Sequence, residues 1–422
     1  MNKKIKISAL ILAMALIATA LTSCFALSTA NTDYLTRAEL QQMINNSLSG
    51  NVTVEGGDNY DVTINGVIQD HAAAGKALLS AVSVKCVFKT TSYGSVYQPG
   101  LTTKEKTSAG SGVIYKLDKY NGDAYVITNY HVVYNHQSNT ENGISDDIRV
   151  YLYGQESDTY AIPATYVGGS MNYDLAILKI SGSRVLAESN AVAVTLADSN
   201  NVAVLDQAIA VGNPEDLGIS ATLGYVNVDS EYIQMEGADG ATAIQLRVMR
   251  MDTAVNSGNS GGGLFNNKGE LIGIVNAKLT SSENMSYAIP SNFVKYVAEN
   301  ILHYCDGTIH ENVYRCYLGI TVSASKLYTV YDKESGKVLK REEISVVSIE
   351  RGSLADGVLK EGDLINSITV DGTKYDVNRM YIVTDSMLNA RVGSVVIVNV
   401  TRGGESIDLS IEITESALTA IK

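Results

Sequence analysis

Short apolar runs separated by turn-forming residues recur along most of the chain. The runs lie at residues 82–89, 112–117, 124–129, 148–153, 176–180, 208–211, 243–249 and 270–276. They predict β-strands, because β-branched and aromatic residues pack well on a pleated surface and the runs are bounded by turn residues. A second series starts at Tyr317 and continues to about residue 414. Short strands at this spacing are typical of antiparallel barrels and sandwiches, so we predict a mainly β fold.

Helical periodicity is found in three segments. These are residues 36–48, a short Ala/Leu-rich stretch from residue 72, and residues 293–304, where a helix closes the first strand series. A chain of 422 residues exceeds the usual size of one hydrophobic core, so two domains are expected. We predict a spacer with a short helix at 24–70, a first domain at 71–304 and a smaller one at 310–415.

The N-terminal residues have the pattern of an export signal. A basic start at residues 3–6 precedes an apolar stretch at residues 7–21, which is shorter than the roughly 20 residues of a membrane span. Leu21-Thr22-Ser23-Cys24 then resembles a bacterial lipoprotein cleavage box. This predicts a signal peptide at 1–23, a lipid on Cys24 and attachment to the envelope membrane. The alternative is an ordinary signal peptide followed by a coincidental cysteine.

The net charge and the cysteine content limit which partners and which thiol chemistry are expected. The formal net charge of −13 repels phosphate backbones, and no basic cluster offsets it, so nucleic acid is not an expected partner. Cys305 and Cys316 are candidates for a disulfide. Cys86 lies in an apolar run and is interpreted as a core residue without thiol chemistry.

The segment 256–262, Asn-Ser-Gly-Asn-Ser-Gly-Gly, carries the strongest chemical signal. Glycines around Ser260 allow a tight turn that points backbone N–H groups at one place, as acyl transfer by a serine nucleophile requires. The predicted oxyanion hole is Gly258, Asn259 and Ser260, with the Gly258 and Ser260 amides as donors. Taken alone, such a loop is more often a plain turn.

A serine nucleophile needs a base and a carboxylate to orient that base. Among the five histidines, His131 follows an apolar strand, where a scaffold can fix its ring. Asp174 directly precedes the apolar run 175–178, where a lone charge would be costly without a partner. Individually these residues are more simply a structural histidine and a turn-capping aspartate. Together with Ser260 they follow the His, Asp, Ser order of chymotrypsin-like barrels.

The chain resembles the HtrA (Deg) serine proteases in several stretches that occur in family order. They are 110–114 (GSGVI), 128–132 (TNYHV), 174–178 (DLAIL), 211–214 (VGNP), 252–260 (DTAVNSGNS), 269–274 (GELIGI) and 287–291 (YAIPS). The resemblance covers about residues 80–300. It implies a chymotrypsin-like double β-barrel with His131, Asp174 and Ser260 as the triad. It also implies no metal or organic cofactor and a homotrimeric assembly.

Departures from the family pattern bear on specificity and activation. Ala254 stands where digestive trypsins carry the aspartate that binds Lys or Arg, so an uncharged residue before the scissile bond is expected. Asn259 replaces the aspartate of the zymogen switch. Asn227 replaces a usual serine, and Gly263 a usual proline. Because glycine adds backbone freedom, we expect Gly263 to loosen the resting oxyanion hole.

The second domain resembles the PDZ domains of the same family. Tyr317-Leu318-Gly319-Ile320 is similar to their carboxylate-binding loop, and residues 347–368 are similar to the conserved turn and strand that follow it. The resemblance implies binding of C-terminal peptides, which add a strand to a sheet edge. A small β domain with an ordinary glycine turn is the alternative. The charged insertion at 328–343 predicts a solvated hairpin or loop.

The leading function is an extracytoplasmic, ATP-independent serine endopeptidase of envelope protein quality control, acting on unfolded or damaged proteins. A peptide-binding chaperone or scaffold with little proteolysis is the main alternative. An esterase using the same triad is a third, and it is disfavoured by the PDZ-like domain. An assay with a protein substrate separates the first from the second, and a small-ester assay separates the third.

Overall fold

The computed structural model describes residues 52–55, 61–64, 67–93, 101–278, 285–304 and 313–421. The predicted signal peptide, Cys24 and the helix at 36–48 lie outside these residues. Within the predicted spacer, strands β1 (Val52–Glu55) and β2 (Asp61–Ile64) form an antiparallel hairpin that the sequence interpretation missed. No helix among the described residues is long and apolar enough to cross a membrane.

The first strand series closes into a six-stranded barrel after helix α1 (Val67–Ser80). Its strands are β3 (Ala81–Tyr93), β4 (Leu101–Asp118), β5 (Asp123–Thr128), β6 (Asp147–Leu152), β7 (Ile162–Ser170) and β8 (Leu175–Ile180), in the spatial order β3-β4-β5-β8-β7-β6. Two short helices, α2 (Tyr130–Val133) and α3 (Arg184–Glu188), follow β5 and β8. Cys86 is fully buried in this barrel among Val82, Val84 and Phe88, as predicted.

A second six-stranded barrel follows. Its strands are β9 (Gln207–Gly212), β10 (Ser220–Glu236), β11 (Ala243–Met251), β12 (Gly263–Phe265), β13 (Leu271–Lys278) and β14 (Ser286–Pro290), in the order β10-β11-β14-β13-β12-β9. Helix α4 (Ser291–Tyr304) closes the domain with Phe293, Val294, Val297 and Ile301 buried in its core. The predicted double β-barrel is therefore confirmed, because each barrel pairs every strand and leaves no open edge.

The C-terminal residues form a separate β structure around one helix, α5 (Met380–Ser386). A six-stranded sheet has the order β16 (Ile320–Tyr331), β17 (Val338–Ile349), β18 (Leu364–Val370), β20 (Val395–Arg402) and β21 (Glu405–Glu412), with β19 (Thr373–Asp376) attached beside β18. Strand β15 (Val313–Cys316) pairs with β22 (Leu418–Ile421). The core of this domain has its own cluster of buried residues, including Ile368, Val398 and Leu359.

The insertion at 328–343 forms the hairpin of β16 and β17, as expected, but it is not simply solvated. Lys337 Nζ lies 2.6 Å from Asp206 Oδ2, and Lys340 Nζ lies 3.0 Å from Asp229 Oδ1, both on the second barrel. The hairpin was interpreted as solvated because its sequence is rich in charged residues. The partners of the two lysines come from the other domain.

A buried ion pair also joins the two domains. Arg247 on β11 and Asp385 on α5 approach to 2.5 Å, and their side chains are only 4% and 9% exposed. The Arg247 guanidinium also lies 4.0 Å from the ring centroid of Tyr381, a cation–π contact within the same interface.

Candidate active site

The two barrels contribute different parts of the candidate site. His131 lies on α2 just after β5, and Asp174 directly precedes β8, both in the first barrel. Ser260 lies in the loop between β11 and β12 of the second barrel. A Cβ atom at Gly261 would lie 2.4 Å from Thr128 Oγ1 and 3.0 Å from Asn129 N. The Ser260 loop therefore packs directly against the residues that precede His131.

Asp174 holds His131 at two points. Asp174 Oδ2 lies 2.7 Å from His131 Nδ1, and Oδ1 accepts a hydrogen bond from the His131 backbone N–H at 3.0 Å. Asp174 is buried and has a left-handed φ of 48°, an uncommon conformation that persists where surrounding contacts determine it. With Nδ1–H donated to the carboxylate, Nε2 is the ring nitrogen that can act as a base.

The surroundings of His131 raise the pKa of its ring. Burial favours the neutral imidazole and lowers the pKa, but the charge of Asp174 and its hydrogen bond to the ring outweigh burial. Protonated imidazole cannot accept a proton from serine. We therefore expect kcat/KM to rise with pH through a midpoint above the ordinary histidine value of about 6.5. A pH–rate profile on a peptide substrate measures this midpoint, and a value at or below 6.5 would contradict the assignment of His131.

Asn276, which the sequence interpretation missed, links Asp174 to Ser260. Its side-chain Nδ2 donates to Asp174 Oδ2 at 2.5 Å, and its backbone carbonyl accepts a hydrogen bond from Ser260 Oγ at 3.0 Å. Asn129 adds a further contact, from its Nδ2 to the Asp174 carbonyl at 2.8 Å. The sequence signal that could have identified Asn276 is its position as a polar residue directly after the buried run 271–275.

The Ser260 hydroxyl is not aligned for attack in this state. Its hydrogen bond goes to Asn276, and over the described residues none joins Ser260 Oγ to His131. Catalytic hydrogen bonds are often formed only when substrate is bound. Rotation of the Ser260 side chain away from Asn276 would release the hydroxyl toward the base.

The backbone of residues 257–260 is fixed through its carbonyl groups. Ser257 O accepts from Glu215 N at 2.8 Å, Gly258 O from Ser111 Oγ at 2.7 Å, and Asn259 O from Gly262 N at 2.9 Å. No described residue accepts a hydrogen bond from the Gly258 or Ser260 amide. These two N–H groups are therefore available to bind an oxyanion. The Asn259 amide instead donates to Asn256 O at 3.1 Å, so Asn259 lies between the two donors without contributing one.

Gly263 does not loosen this region as expected. It lies in β12 and pairs with both Val211 and Ile274. A Cβ atom at Gly263 would lie 2.3 Å from Phe265 Cε2, so the ring of Phe265 occupies the space that a side chain would need. The backbone freedom of glycine is removed by the strand pairing on both sides.

Comparisons with known proteins agree with this geometry. Residues 110–274 match the family of trypsin-like peptidase domains. The serine protease Do-like HtrA of Lactobacillus helveticus is 30% identical over 321 residues, which are 73% of this chain and 69% of that protein. The chain belongs to the HtrA family of serine proteases. The HtrA-type protease AlgW with a bound tripeptide has a similar structure, with a TM-score of 0.50 and 26% identity over 83% of this chain and 97% of that one.

Other HtrA relatives are matched over a smaller share of their length. The serine protease Do-like HtrA of Lactococcus lactis subsp. cremoris is 34% identical over 62% of this chain and 61% of its own. The periplasmic serine endoprotease DegP of Escherichia coli K12 is 31% identical over 73% of this chain and 57% of its own. The chain thus spans about three fifths of these two HtrA proteins.

The C-terminal domain of this HtrA chain contains a groove at the predicted carboxylate-binding loop. The groove has a volume of about 80 Å³ between residues 315–320 and α5, and its lining includes Val322, Val383 and Met387. Gly319 has a left-handed φ of 76°, and a Cβ atom there would lie 2.1 Å from Ser353 Cβ. Over the described residues, the Leu318 and Gly319 amides donate to no backbone carbonyl outside the strand ladders.

Proposed function

We propose that this chain is an extracytoplasmic, ATP-independent serine endopeptidase that cleaves unfolded or damaged polypeptides in the bacterial envelope. The observation that carries the proposal is the pairing of Asp174 with His131 beside the Ser260 loop. In that loop the Gly258 and Ser260 amides donate no hydrogen bond to any described residue. The names of the HtrA and DegP relatives support the same reaction class.

The geometry supports an acyl-enzyme mechanism. His131 Nε2 removes the proton from Ser260 as its Oγ attacks the carbonyl carbon of the scissile peptide bond. The Gly258 and Ser260 amides bind the resulting oxyanion, and Asp174 stabilises the imidazolium. His131 then gives its proton to the departing amine. Water, deprotonated by His131, attacks the ester and restores the Ser260 hydroxyl.

Substitution of the nucleophile tests the proposal. We expect Ser260→Ala to lose hydrolysis of unfolded casein by about 10⁴-fold or more, because no other group can form the acyl-enzyme. Ser257→Ala is the matched control, since Ser257 is exposed in the same loop and its backbone is retained. Equal casein turnover by wild type and Ser260→Ala would contradict the assignment of Ser260 as the nucleophile of a protease. Retained binding of unfolded protein with no turnover in the wild type would favour the chaperone.

We further propose that the groove beside Tyr317, Leu318, Gly319 and Ile320 binds C-terminal peptides. Amides of the loop would hold the terminal carboxylate, and the apolar lining would accept the last side chain. The peptide bound in the AlgW structure supports a peptide ligand for the family.

Fluorescence anisotropy with one apolar peptide tests the groove. We expect binding with a free carboxylate and loss of at least about tenfold in affinity on amidation or in Gly319→Ala. Gly352→Ala is the matched control, because Gly352 has a similar φ of 79° but a Cβ atom there meets nothing within 4 Å. Equal affinity for the amidated peptide would contradict carboxylate recognition.

We also propose that Cys24 carries a lipid that anchors the protein to the envelope membrane, and that the protein assembles as a homotrimer. The cleavage-box pattern supports the first point, and the family resemblance supports the second. Mass spectrometry of the mature N-terminus tests the anchor, which an unlipidated start beyond Cys24 would rule out. Light scattering of the purified protein gives the assembly size, and a monomer mass would exclude the trimer.

A further inference from the structure

Ser111 contacts the nucleophile loop from the opposite barrel. It lies on β4, is fully buried, and its hydroxyl donates to Gly258 O at 2.7 Å while accepting from Asn213 N at 2.8 Å. Its backbone N–H donates to Ser260 O at 2.8 Å. One residue therefore holds the loop on both sides of Asn259.

These bonds determine which way the Gly258 amide points. In a planar trans peptide the N–H and C=O groups point in opposite directions. The Gly258 N–H belongs to the peptide whose carbonyl, Ser257 O, is held by Glu215 N, and the next carbonyl, Gly258 O, is held by Ser111. Both peptides that meet at the Gly258 Cα are thus anchored, and the Gly258 N–H is directed away from Glu215.

Ser111 also supports the turn that supplies the Glu215 amide. Glu215 and Asp216 have consecutive left-handed φ values of 55° and 56°, which is uncommon for residues other than glycine. Asn213 braces the turn, since its Oδ1 accepts from Gly218 N at 2.7 Å and its Nδ2 donates to Asp216 Oδ1 at 3.1 Å. The Asn213 backbone N–H is bonded to the Ser111 hydroxyl.

We infer that Ser111 is a positioning residue for the oxyanion hole, acting through the Gly258 carbonyl and the 213–218 turn. This inference rests on the proposed protease function. Loss of the Ser111 hydroxyl leaves the Gly258 carbonyl buried without a donor, which frees the Gly258–Asn259 peptide to rotate. It also removes the acceptor of the Asn213 N–H, which weakens the turn whose Glu215 amide holds the Ser257–Gly258 peptide. The transition state then loses an aligned donor, while the ground-state complex with substrate loses little.

The decisive variant is Ser111→Ala in the full-length protein, which keeps the backbone bond to Ser260. Removal of a whole oxyanion donor costs about 10²–10³-fold in kcat, and we expect a loss of about 10- to 100-fold for a misaligned one. KM should stay within about threefold. Affinity for a peptide trifluoromethyl ketone, whose adduct places an oxyanion in the hole, should fall by the same factor as kcat/KM.

Ser291→Ala is the matched control. Ser291 is as fully buried as Ser111 and its hydroxyl also donates to a backbone carbonyl, Ala197 O at 2.7 Å, which belongs neither to the nucleophile loop nor to the 213–218 turn. We expect its kcat to remain within about threefold of wild type. Ser111→Cys retains a weak donor and should give an intermediate kcat, which keeps the test available if Ser111→Ala does not fold.

Two outcomes would overturn the inference in an active wild-type protein. One is a Ser111→Ala variant, folded by circular dichroism, with unchanged kcat and ketone affinity. The other is an equal loss in Ser291→Ala, which would indicate that any lost buried serine hydrogen bond has this effect. Absence of peptide cleavage by the wild type would instead refute the proposed function itself.

Discussion

Replacing Asp174 by Asn should lower kcat by about 10⁴-fold with little change in the fold. In the structure, Asp174 Oδ2 accepts from both His131 Nδ1 and Asn276 Nδ2. An amide in place of the carboxylate has one oxygen, which can face either the His131 backbone N–H, at the Oδ1 position, or His131 Nδ1, at the Oδ2 position. If its NH₂ faces His131, Nδ1 must become the acceptor and Nε2 carries the proton, so the ring can no longer act as the base.

Peptide hydrolysis by Asp174→Asn, measured with the pH–rate profile, tests this expectation. The acid-side midpoint should move to lower pH, because the negative charge that raises the His131 pKa is gone. Asp146→Asn removes an exposed carboxylate from the loop after α2 and should leave the rate within about twofold. A rate for Asp174→Asn within tenfold of wild type would exclude Asp174 as the partner of His131.

Replacing Asp385 by Ala should lower the free energy of unfolding by about 3–5 kcal/mol, because it leaves the buried Arg247 charge without its partner. Burial raises the Asp385 pKa although Arg247 opposes the shift, which shows how strongly this environment disfavours charge. Arg247 Nε already has no hydrogen-bond partner among the described residues, so little remains to compensate it.

Urea unfolding of the variants measures this loss. Lys326→Ala breaks the Lys326–Glu343 pair, whose side chains are 60% and 41% exposed, and should cost no more than about 1 kcal/mol. The double substitution Arg247→Met with Asp385→Leu should recover most of the lost stability, because two apolar residues need no charge partner. A loss in Asp385→Ala no larger than that in Lys326→Ala would show that the pair does not stabilise the structure.

Features that depend on the local pattern of apolar and polar residues could be predicted from the sequence. Eight of the twelve barrel strands were predicted because alternating or continuous apolar runs identify buried sheet, whereas β7, β10, β12 and β14 were missed. Cys86 was placed in the core for the same reason. His131 and Asp174 were found because each lies at the end of such a run, where their contact at 2.7 Å is now seen. Motif order along the chain supplied the topology.

Contacts between residues distant in sequence were not predictable from these patterns. Ser111 was recognised only as part of a motif, and its bond to Gly258 spans 147 residues. Asn276 was not predicted as a site residue because its partners, Asp174 and Ser260, belong to two other loops. Lys337 and Lys340 were interpreted as solvated because their segment is rich in charged residues, and their partners are also distant in sequence. The direction of a peptide N–H, such as that of Asn259 toward Asn256 O, depends on backbone conformation that residue types alone do not define.

The division of the site between two barrels affects when the protein becomes reactive. The base and its carboxylate lie before residue 175, whereas the nucleophile loop needs β12 and β13 at its back, and β13 ends at Lys278. A polypeptide that emerges N-terminus first can therefore complete its first barrel and still hold no working nucleophile. Proteolytic competence therefore arises only after the chain has been made as far as Lys278.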